Sequence, residues 1–302
     1  MFFLGNDMKV KTFLPLGDLL YNPPSEVKFL FSDADKKTLN KINFGSSELF
    51  GNELIERIHG DPKIVTEWVE SKGFTSTLTE DADFGMAALL SILVKFKTPA
   101  EECIFAIGKD KFKRAFHSTA LETNIPELFE IPLLGDIEKL DCPFRKEQIE
   151  VAQEHPNLRI YFSKKPIDLQ AFYEPIERSF EMDLHVPFVE ACQQQSFKEI
   201  EGIKAEVYGL EMEVNSCDVE TRLSLNATGA EVKQMAILGM GLSACMAPVK
   251  VRQRRIEVID CQFHCYITYD NHLLFSAQVD TDDFVNGEGR IKHFASREPF
   301  IG

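Results

Sequence analysis

The sequence lacks the uninterrupted apolar run of about 20 residues that a membrane-spanning helix requires. It also lacks positive charge, because 33 lysines and arginines stand against 48 aspartates and glutamates, a formal net charge of −15. A nucleic-acid-binding surface is basic, so this balance argues against that class of partner. We therefore expect neither a membrane nor a nucleic acid as a partner, and we attribute most of the acidity to solubility.

Two further features bear on the compartment. Residues 1–11 do not have the basic start and longer apolar stretch of a secretory signal. The seven cysteines are an odd number at irregular spacing, which is typical of free thiols in a reducing compartment rather than of a disulfide framework. As written, the sequence predicts a cytoplasmic protein, and an extracellular one only if further residues precede Met1.

The remaining composition is that of an ordinary folded domain. Of the 302 residues, 44% are hydrophobic, while 17 glycines and 14 prolines are unremarkable numbers. These values provide for a large core and exclude a fibrous or low-complexity class. No internal repeat or linker divides the chain, so we expect one domain, residues 1–302, and a monomer.

Apolar spacing places helices early and strands late, which indicates an α+β class. Helical spacing occurs at 64–78, 148–155 and 168–178. Residues 9–32 have strand-like pieces around an Asn-Pro-Pro turn, and strands are also predicted at 86–94, at 180–189 and along much of the chain after 208, where Asp270–Asn271 forms the last hairpin turn.

Six segments, in order, resemble sequence motifs of the serpin family of protease inhibitors. They are Trp-Val-Glu at 68–70, the strand and Lys-Phe-Lys-Thr-Pro turn at 89–99, and the segments 129–136, 182–188, 226–236 and 273–279. The resemblance covers roughly residues 61–279. Outside it lie a divergent or shortened front end, residues 1–60, and a C-terminal extension, residues 280–302, to which we assign no role.

The resemblance implies a serpin-like fold, with a mixed main β-sheet, a second sheet, helices mostly in the N-terminal half and an exposed reactive loop. It also implies a function. A serine or papain-like cysteine protease cleaves the loop, and the loop's first part, the hinge, then inserts into the main sheet and disables the attached protease. Such a protein is an endopeptidase inhibitor, not an enzyme, and needs no cofactor.

The resemblance assigns three sites. Ser91 stands at the shutter, where the family has asparagine, and the spacing from the hinge puts the scissile bond near Ser243–Ala244, whose small residues suit an elastase-like or papain-like protease. The hinge consists of Gly229, Ala230, Glu231, Val232, Lys233, Gln234, Met235 and Ala236.

The hinge departs from the family's run of alanines. With period-two alternation, Gln234 shares a face with Ala230 and Val232, so on the buried side its amide needs hydrogen-bond partners that an alanine does not. Lys233 and Met235 are bulky on the other face. We therefore expect slow insertion, and we keep a degenerate, non-inhibitory serpin acting as a binding or scaffold module as the alternative function.

Other motifs yield no catalytic or metal site. A dinucleotide-type glycine pattern at 239–244 is followed by Pro248, which prevents the required helix. Cys261, His264 and Cys265 would alternate on a strand, so we expect no metal site. The basic cluster is interpreted as a charged strand edge, with a polyanion site or bait for a trypsin-like protease left open; it comprises Lys250, Arg252, Arg254 and Arg255.

Overall fold

The computed structural model describes residues 8–78, 82–98, 100–134, 137–142, 147–152, 157–234 and 255–288, without the side chains of 137–142 and 147–152. Among them are three α-helices, none of which is long and apolar enough to cross a membrane. The helices are α1 (Leu14–Tyr21), α2 (Asp33–Leu39) and α3 (Pro62–Ser71), with 3-10 turns at Ser47–Leu49, Leu169–Tyr173 and Thr281–Asp283.

Nineteen strands make up about half of the described chain. In order they are β1 (Lys9–Val10), β2 (Val27–Phe29), β3 (Ile55–Gly60), β4 (Gly85–Lys95), β5 (Glu101–Ile107), β6 (Asp110–Thr123), β7 (Leu128–Ile131), β8 (Ile137–Cys142), β9 (Glu147–Ala152), β10 (Leu158–Ser163), β11 (Arg178–Pro187), β12 (Val189–Ser196), β13 (Lys204–Val207), β14 (Leu210–Glu213), β15 (Asp218–Leu225), β16 (Gly229–Gln234), β17 (Ile256–Val258), β18 (Phe263–Tyr269) and β19 (His272–Val279).

The strands form two principal sheets. The nine-stranded sheet has the order β1-β19-β18-β10-β7-β6-β11-β17, with β5 added on β6, and it is mixed because β11 and β17 run parallel. The five-stranded sheet has the order β12-β15-β16-β4-β3 and is antiparallel throughout. Only Phe188 separates β11 from β12, so the chain passes directly from one sheet to the other. Two small sheets, β14-β13-β2 and β8-β9, complete the topology.

One apolar core joins the two principal sheets. It includes Leu14, Leu16 and Leu20 of α1, Val232 of the five-stranded sheet and Phe275 of the nine-stranded sheet. A second, smaller cluster holds α3 on β3 and β4. The five-stranded sheet therefore packs on its core face against α1 and on its other face against α3.

The predicted α+β class is confirmed, and all three described helices lie in the first 71 residues. The helix predicted at 64–78 is α3, which ends before Gly73, a residue at φ +81° that a non-glycine rarely adopts. The last hairpin turns at Asp270 and Asn271, both at positive φ, as the sequence predicts for a tight two-residue turn.

Three local predictions are wrong. Residues 14–21, expected to be extended, form α1, which starts with a proline in its first turn and buries its leucines on the sheet. The helix predicted at 148–155 is instead strand β9, where Ile149 and Val151 alternate with polar residues as strands do. The helix predicted at 168–178 is only the 3-10 turn at Leu169–Tyr173, since Pro175 cannot continue a helix.

The strand predicted at 180–189 corresponds to β11 and the start of β12, with one difference at each face. Met182, Leu184 and Val186 are buried as predicted, whereas Phe180, at the same parity, is 75% exposed. His185, expected on the polar face, is buried, and its ring lies 4.7 Å from that of Phe116 on β6, centroid to centroid. Alternation therefore predicts correctly which side chains are buried in the middle of the strand. It does not predict that Phe180, near the start of the strand, is exposed.

Residues 280–288, for which the sequence suggested no role, pack on the nine-stranded sheet. Phe284 is buried between the rings of Phe112 and Phe263. The backbone amide of Val285 donates to the carbonyl of Phe188, and that of Gly287 donates to the carbonyl of Lys111. This part of the extension covers the point where the chain passes from β11 to β12.

Because two histidines are buried, we predict that the protein loses stability in mild acid. Burial lowers the pKa of His117, on β6, to about 3, and burial together with Arg114 lowers that of His185 to about 4. A folded-state pKa below the unfolded value of about 6.5 means that the unfolded state takes up the proton first, so stability present above pH 6.5 is lost as the pH falls. From pH 7 to pH 5, His117 alone should account for about 2 kcal/mol.

The measurement is the free energy of unfolding in urea at pH 7, 6 and 5. The variant His117→Phe keeps an aromatic ring against Phe96, whose centroid lies 4.7 Å away, but cannot titrate. It should lose about 2 kcal/mol less than the wild type over this range. Equal losses in the two proteins would show that His117 does not carry the effect.

Candidate functional site: the hinge strand

The first six hinge residues form β16, in the middle of the five-stranded sheet. Ala230 pairs with Leu225 of β15 on one side and with Val94 of β4 on the other. Both neighbours are antiparallel to β16, so the hinge is hydrogen-bonded along both of its edges. The other predicted loop residues lie outside the described residues; they are Met235, Ala236, Ser243 and Ala244.

The alternation of β16 agrees with the sequence prediction. Ala230, Val232 and Gln234 are buried on the core face, at exposures of 2% or less. Glu231 and Lys233 lie on the face toward α3, where the lysine ammonium is 2.8 Å from the carboxylate. The two bulky charged residues therefore pair with each other on the partly exposed face. They do not disfavour the placement of this strand in the middle of the sheet.

The nitrogen of the buried Gln234 amide has hydrogen-bond partners, whereas its oxygen Oε1 has none among the described residues. Its Nε2 donates to the backbone carbonyl of Thr12 at 2.9 Å and to the hydroxyl of Thr221 at 3.2 Å. Thr12 in turn shares a hydrogen bond of 2.7 Å between its hydroxyl and that of Ser276 on β19. A series of buried hydrogen bonds thus joins the nine-stranded sheet to the end of the hinge strand, through Ser276, Thr12, Gln234 and Thr221. Buried polar groups are stable only when they make such bonds.

Gly229 is required by close packing. A Cβ built on it would lie 2.1 Å from the carbonyl oxygen of Val94 and 3.2 Å from the Cα of Lys95. Gly229 is not among the described glycines at positive φ, so a left-handed backbone is not the reason for a glycine here. The physical reason is therefore the approach of two backbones, and that backbone contact cannot be relieved by a rotamer change.

Beyond Gln234 the two neighbouring strands continue without a described strand between them. Residues 85–89 of β4 and 218–220 of β15 pair outward, with β3 and β12. A cavity of about 470 Å³ is lined by parts of both segments, by α1 and α3, and by residues 74–78. The edges of two strands that face each other across such a space match the shape of an extended polypeptide.

Ser91, the predicted shutter residue, lies on β4 directly opposite Lys233 of β16. On its other edge β4 pairs with β3 through residues 85–90, so Ser91 lies one residue past the end of that pairing. The structure thus brings together the hinge and Ser91, two sites that the sequence separates by more than a hundred residues.

Two partners of the hinge were missed from the sequence. Thr221 shares the buried face of β15 with Leu223 and Leu225, and this alternation could have identified it. Thr12 precedes α1 in a region that was read as extended, and nothing in its local sequence indicates a contact with residue 234. Only the tertiary fold shows that contact.

The other candidate residues do not form a catalytic or metal site in the described part. Cys261 precedes β18, so the predicted alternation of Cys261 with His264 and Cys265 on one strand is wrong. Burial raises the pKa of the Cys265 thiol to about 12, which makes it a poor nucleophile. Arg255, the one described member of the basic cluster, forms ion pairs with Glu122 and Glu257 beside β17, at the edge of the nine-stranded sheet.

Comparison with known proteins gives a structural likeness but no sequence match. No family model and no curated protein matches the chain. The crystal structure of Serpin48, a highly specific serpin of the insect Tenebrio molitor, is similar at a TM-score of 0.50 and 11% identity, covering 91% of each chain.

Two further solved serpins are similar at lower scores. Cleaved Serpin 42Da matches at a TM-score of 0.48 and 8% identity over 76% of this chain and 66% of its own. A loop-inserted, cleaved ovalbumin mutant matches at 0.44 and 9% over 79% and 65%. The chain thus spans just under two thirds of the length of these two. On the likeness to Serpin48 and on its own two-sheet topology, the chain has a serpin-like fold.

Proposed function

We propose that the protein is an endopeptidase inhibitor that acts by cleavage of a reactive loop and insertion of the cleaved loop into the five-stranded sheet. One observation carries this proposal: residues 229–234 fit as a central strand between β15 and β4. Every core-facing side chain of that strand is buried, and the amide nitrogen of its one polar member, Gln234, donates two hydrogen bonds. The departure at Gln234 is therefore compatible with insertion.

The cavity beyond Gln234 supports the same proposal. Between three residues of β15 and five of β4, the described residues contain no strand, and a longer inserted strand would pair with both segments. A strand placed there would satisfy backbone groups on both neighbours and fill a space of about 470 Å³. Filling a cavity in a protein interior is favourable because an empty one forfeits packing contacts. This gain is the driving force that we assign to the reaction.

The test is incubation with an elastase-like protease, a trypsin-like protease and a papain-like protease. We expect one of the first or third class to form a complex that survives SDS, since the residues near Ser243–Ala244 are small. Cleaved protein alone, with no complex and no rise in thermal stability on cleavage, would rule out inhibition of those proteases. A complex with trypsin instead would move the scissile bond to the basic cluster.

Matched hinge variants separate insertion from simple cleavage. Val232→Arg places a charge on the buried face of β16, whereas Lys233→Ala removes one from the partly exposed face of the same strand. Val232→Arg should be cleaved at the same bond but lose the complex, because a buried unpaired charge displaces residues 229–234 from the sheet before cleavage and opposes their insertion after it. Lys233→Ala should retain the complex. Loss of the complex in both variants would count against an insertion mechanism.

A second candidate is a non-inhibitory serpin-like binding module. It is favoured by the position of the hinge in the uncleaved chain, where residues 229–234 are already paired on both edges. When the hinge is already inserted, less of the loop is exposed to a protease. The stability measurement distinguishes the two functions, since this candidate predicts that cleavage leaves the unfolding temperature unchanged.

A further inference from the structure

The strand β14 forms one edge of the small sheet whose order is β14-β13-β2. It is joined to β13 by a two-residue turn at Tyr208 and Gly209, whose φ angles of 49° and 80° are typical of a tight hairpin. Among the described residues, no strand pairs with the other side of β14. That side is therefore an edge to which a further strand can be added.

The register of the hairpin shows which peptide groups point outward from this edge. In an antiparallel pair, successive residues bond alternately toward and away from the partner strand. The carbonyl of Lys204 on β13 accepts from the amide of Leu30, on the β2 side, so Lys204 bonds away from β14. Its partner on β14 is Glu213, which therefore points away from β13, as does Glu211 two residues earlier. The outward N–H and C=O groups of β14 are those of Glu211 and Glu213.

The side chains of β14 alternate between an acidic face and an apolar face. Glu211 and Glu213 share the acidic face, where Glu211 forms an ion pair with Lys204 of β13. Leu210 and Met212 share the apolar face, and Met212 packs on a small cluster made by Val27, Ala205 and Val207. Leu210 is 63% exposed, so apolar area remains uncovered along the edge.

The chain around this edge is acidic. Residues 199–218 contain six aspartates and glutamates but one lysine, Lys204. This excess of negative charge disfavours an acidic strand at the edge and attracts a basic one. A second copy of β14 is disfavoured for the same reason, because antiparallel pairing would place glutamates opposite glutamates.

We propose that β14 is a docking edge for an extended segment of a partner protein in which basic and apolar residues alternate. Added antiparallel to β14, the segment would bond to the outward peptide groups of Glu211 and Glu213 and place a basic side chain opposite each carboxylate. Its apolar side chains would lie beside Leu210 and Met212 and cover the exposed area there. This site is separate from the hinge and does not depend on the proposed inhibitory function.

The test adds the peptide acetyl-Thr-Val-Lys-Val-Lys-Val-Thr-amide to the full-length protein and follows single backbone amides by NMR hydrogen exchange. At a peptide concentration of about ten times Kd, the amides of Glu211 and Glu213 should exchange about tenfold more slowly, because only the free protein exposes them. The amides of Leu210 and Met212 should change much less, since they already bond to β13. Added salt should weaken the binding.

Matched charge reversals locate the site. The double variant Glu211→Lys, Glu213→Lys should lose the basic peptide and bind instead the peptide with glutamates in place of its lysines. The control is Glu199→Lys, Glu201→Lys, which makes the same change in net charge at two exposed positions outside β14. The control should retain most of the affinity for the basic peptide, because its edge is unaltered.

A third probe separates backbone pairing from attraction of charge. The basic peptide N-methylated at both lysines keeps its charges but cannot donate to β14, so it should not bind. Equal loss in the two double variants, or binding of the N-methylated peptide, would overturn the docking edge. Absence of binding by the unmodified peptide at about 1 mM would also overturn it, and would show that the acidic edge only repels other strands.

Discussion

Gly229→Ala should cost about 3 kcal/mol of unfolding free energy and remove β16 from the five-stranded sheet. The new methyl group would stand 2.1 Å from the carbonyl oxygen of Val94, which is shorter than a non-bonded carbon–oxygen contact can be. Neither atom can move by a side-chain rotation, because the methyl carbon is fixed to its Cα and the oxygen belongs to the backbone. The sheet can relieve that contact only by separating β16 from β4. Lys233, near the other end of the strand, would then become accessible to trypsin.

Urea unfolding and limited trypsin digestion measure the two effects of Gly229→Ala. The control is Glu231→Ala in the same strand, which loses only a partly exposed ion pair with Lys233 and should change stability by less than about 1 kcal/mol. If Gly229→Ala unfolds at the wild-type urea concentration and resists trypsin at Lys233, the close approach of β16 and β4 is not a feature of the protein in solution.

Gln234→Glu should destabilise the protein by about 3–5 kcal/mol at pH 7, because it replaces the hydrogen-bonded Nε2 of a buried amide by an oxygen of an uncompensated carboxylate. The wild-type Nε2 donates to the Thr12 carbonyl, and a carboxylate oxygen there would face that carbonyl oxygen instead. Burial favours the neutral acid, so the folded-state pKa of this glutamate rises above its unfolded value of about 4.3. Stability is then retained below that pH and lost as the pH rises.

The near-isosteric variant Gln234→Met separates charge from shape. It loses the hydrogen bonds to Thr12 and Thr221 and should cost about 1–3 kcal/mol, with no pH dependence beyond that of the wild type. Urea unfolding from pH 4 to pH 7 provides the comparison. A Gln234→Glu protein whose stability parallels that of Gln234→Met at every pH would show that residue 234 is not buried as described.

The sequence predicts the parts of this fold in which local pattern and tertiary position agree. Strand β11 and the final hairpin at Asp270–Asn271 are of this kind, since alternation and a tight turn are both local properties. The segment 148–155 shows the limit, because its few apolar residues fit a helical face as well as a strand. Pairing of β9 with β8 decides the outcome, and pairing is not a property of either segment alone.

The candidate site divides in the same way. The buried face of the hinge could be predicted from alternation, and the need of Gln234 for partners follows from the chemistry of an amide. The identity of one partner could not be predicted, because Thr12 is 222 residues away in sequence. The sequence also could not show why residue 229 must be a glycine, because the close approach of Val94 depends on which strands are neighbours in the sheet.

The chain of buried hydrogen bonds from Ser276 through Thr12 to Gln234 makes the hinge and the segment ahead of α1 thermodynamically linked. Linkage is reciprocal, so whatever favours attachment of Thr12 to β19 favours a seated hinge by the same free energy, and the converse holds. Val10 of that segment also donates from its backbone to Gln193 of β12 at 2.6 Å, which extends the coupling to the outer strand of the five-stranded sheet. A reporter on residues 8–12 would therefore sense the state of a loop more than 200 positions downstream.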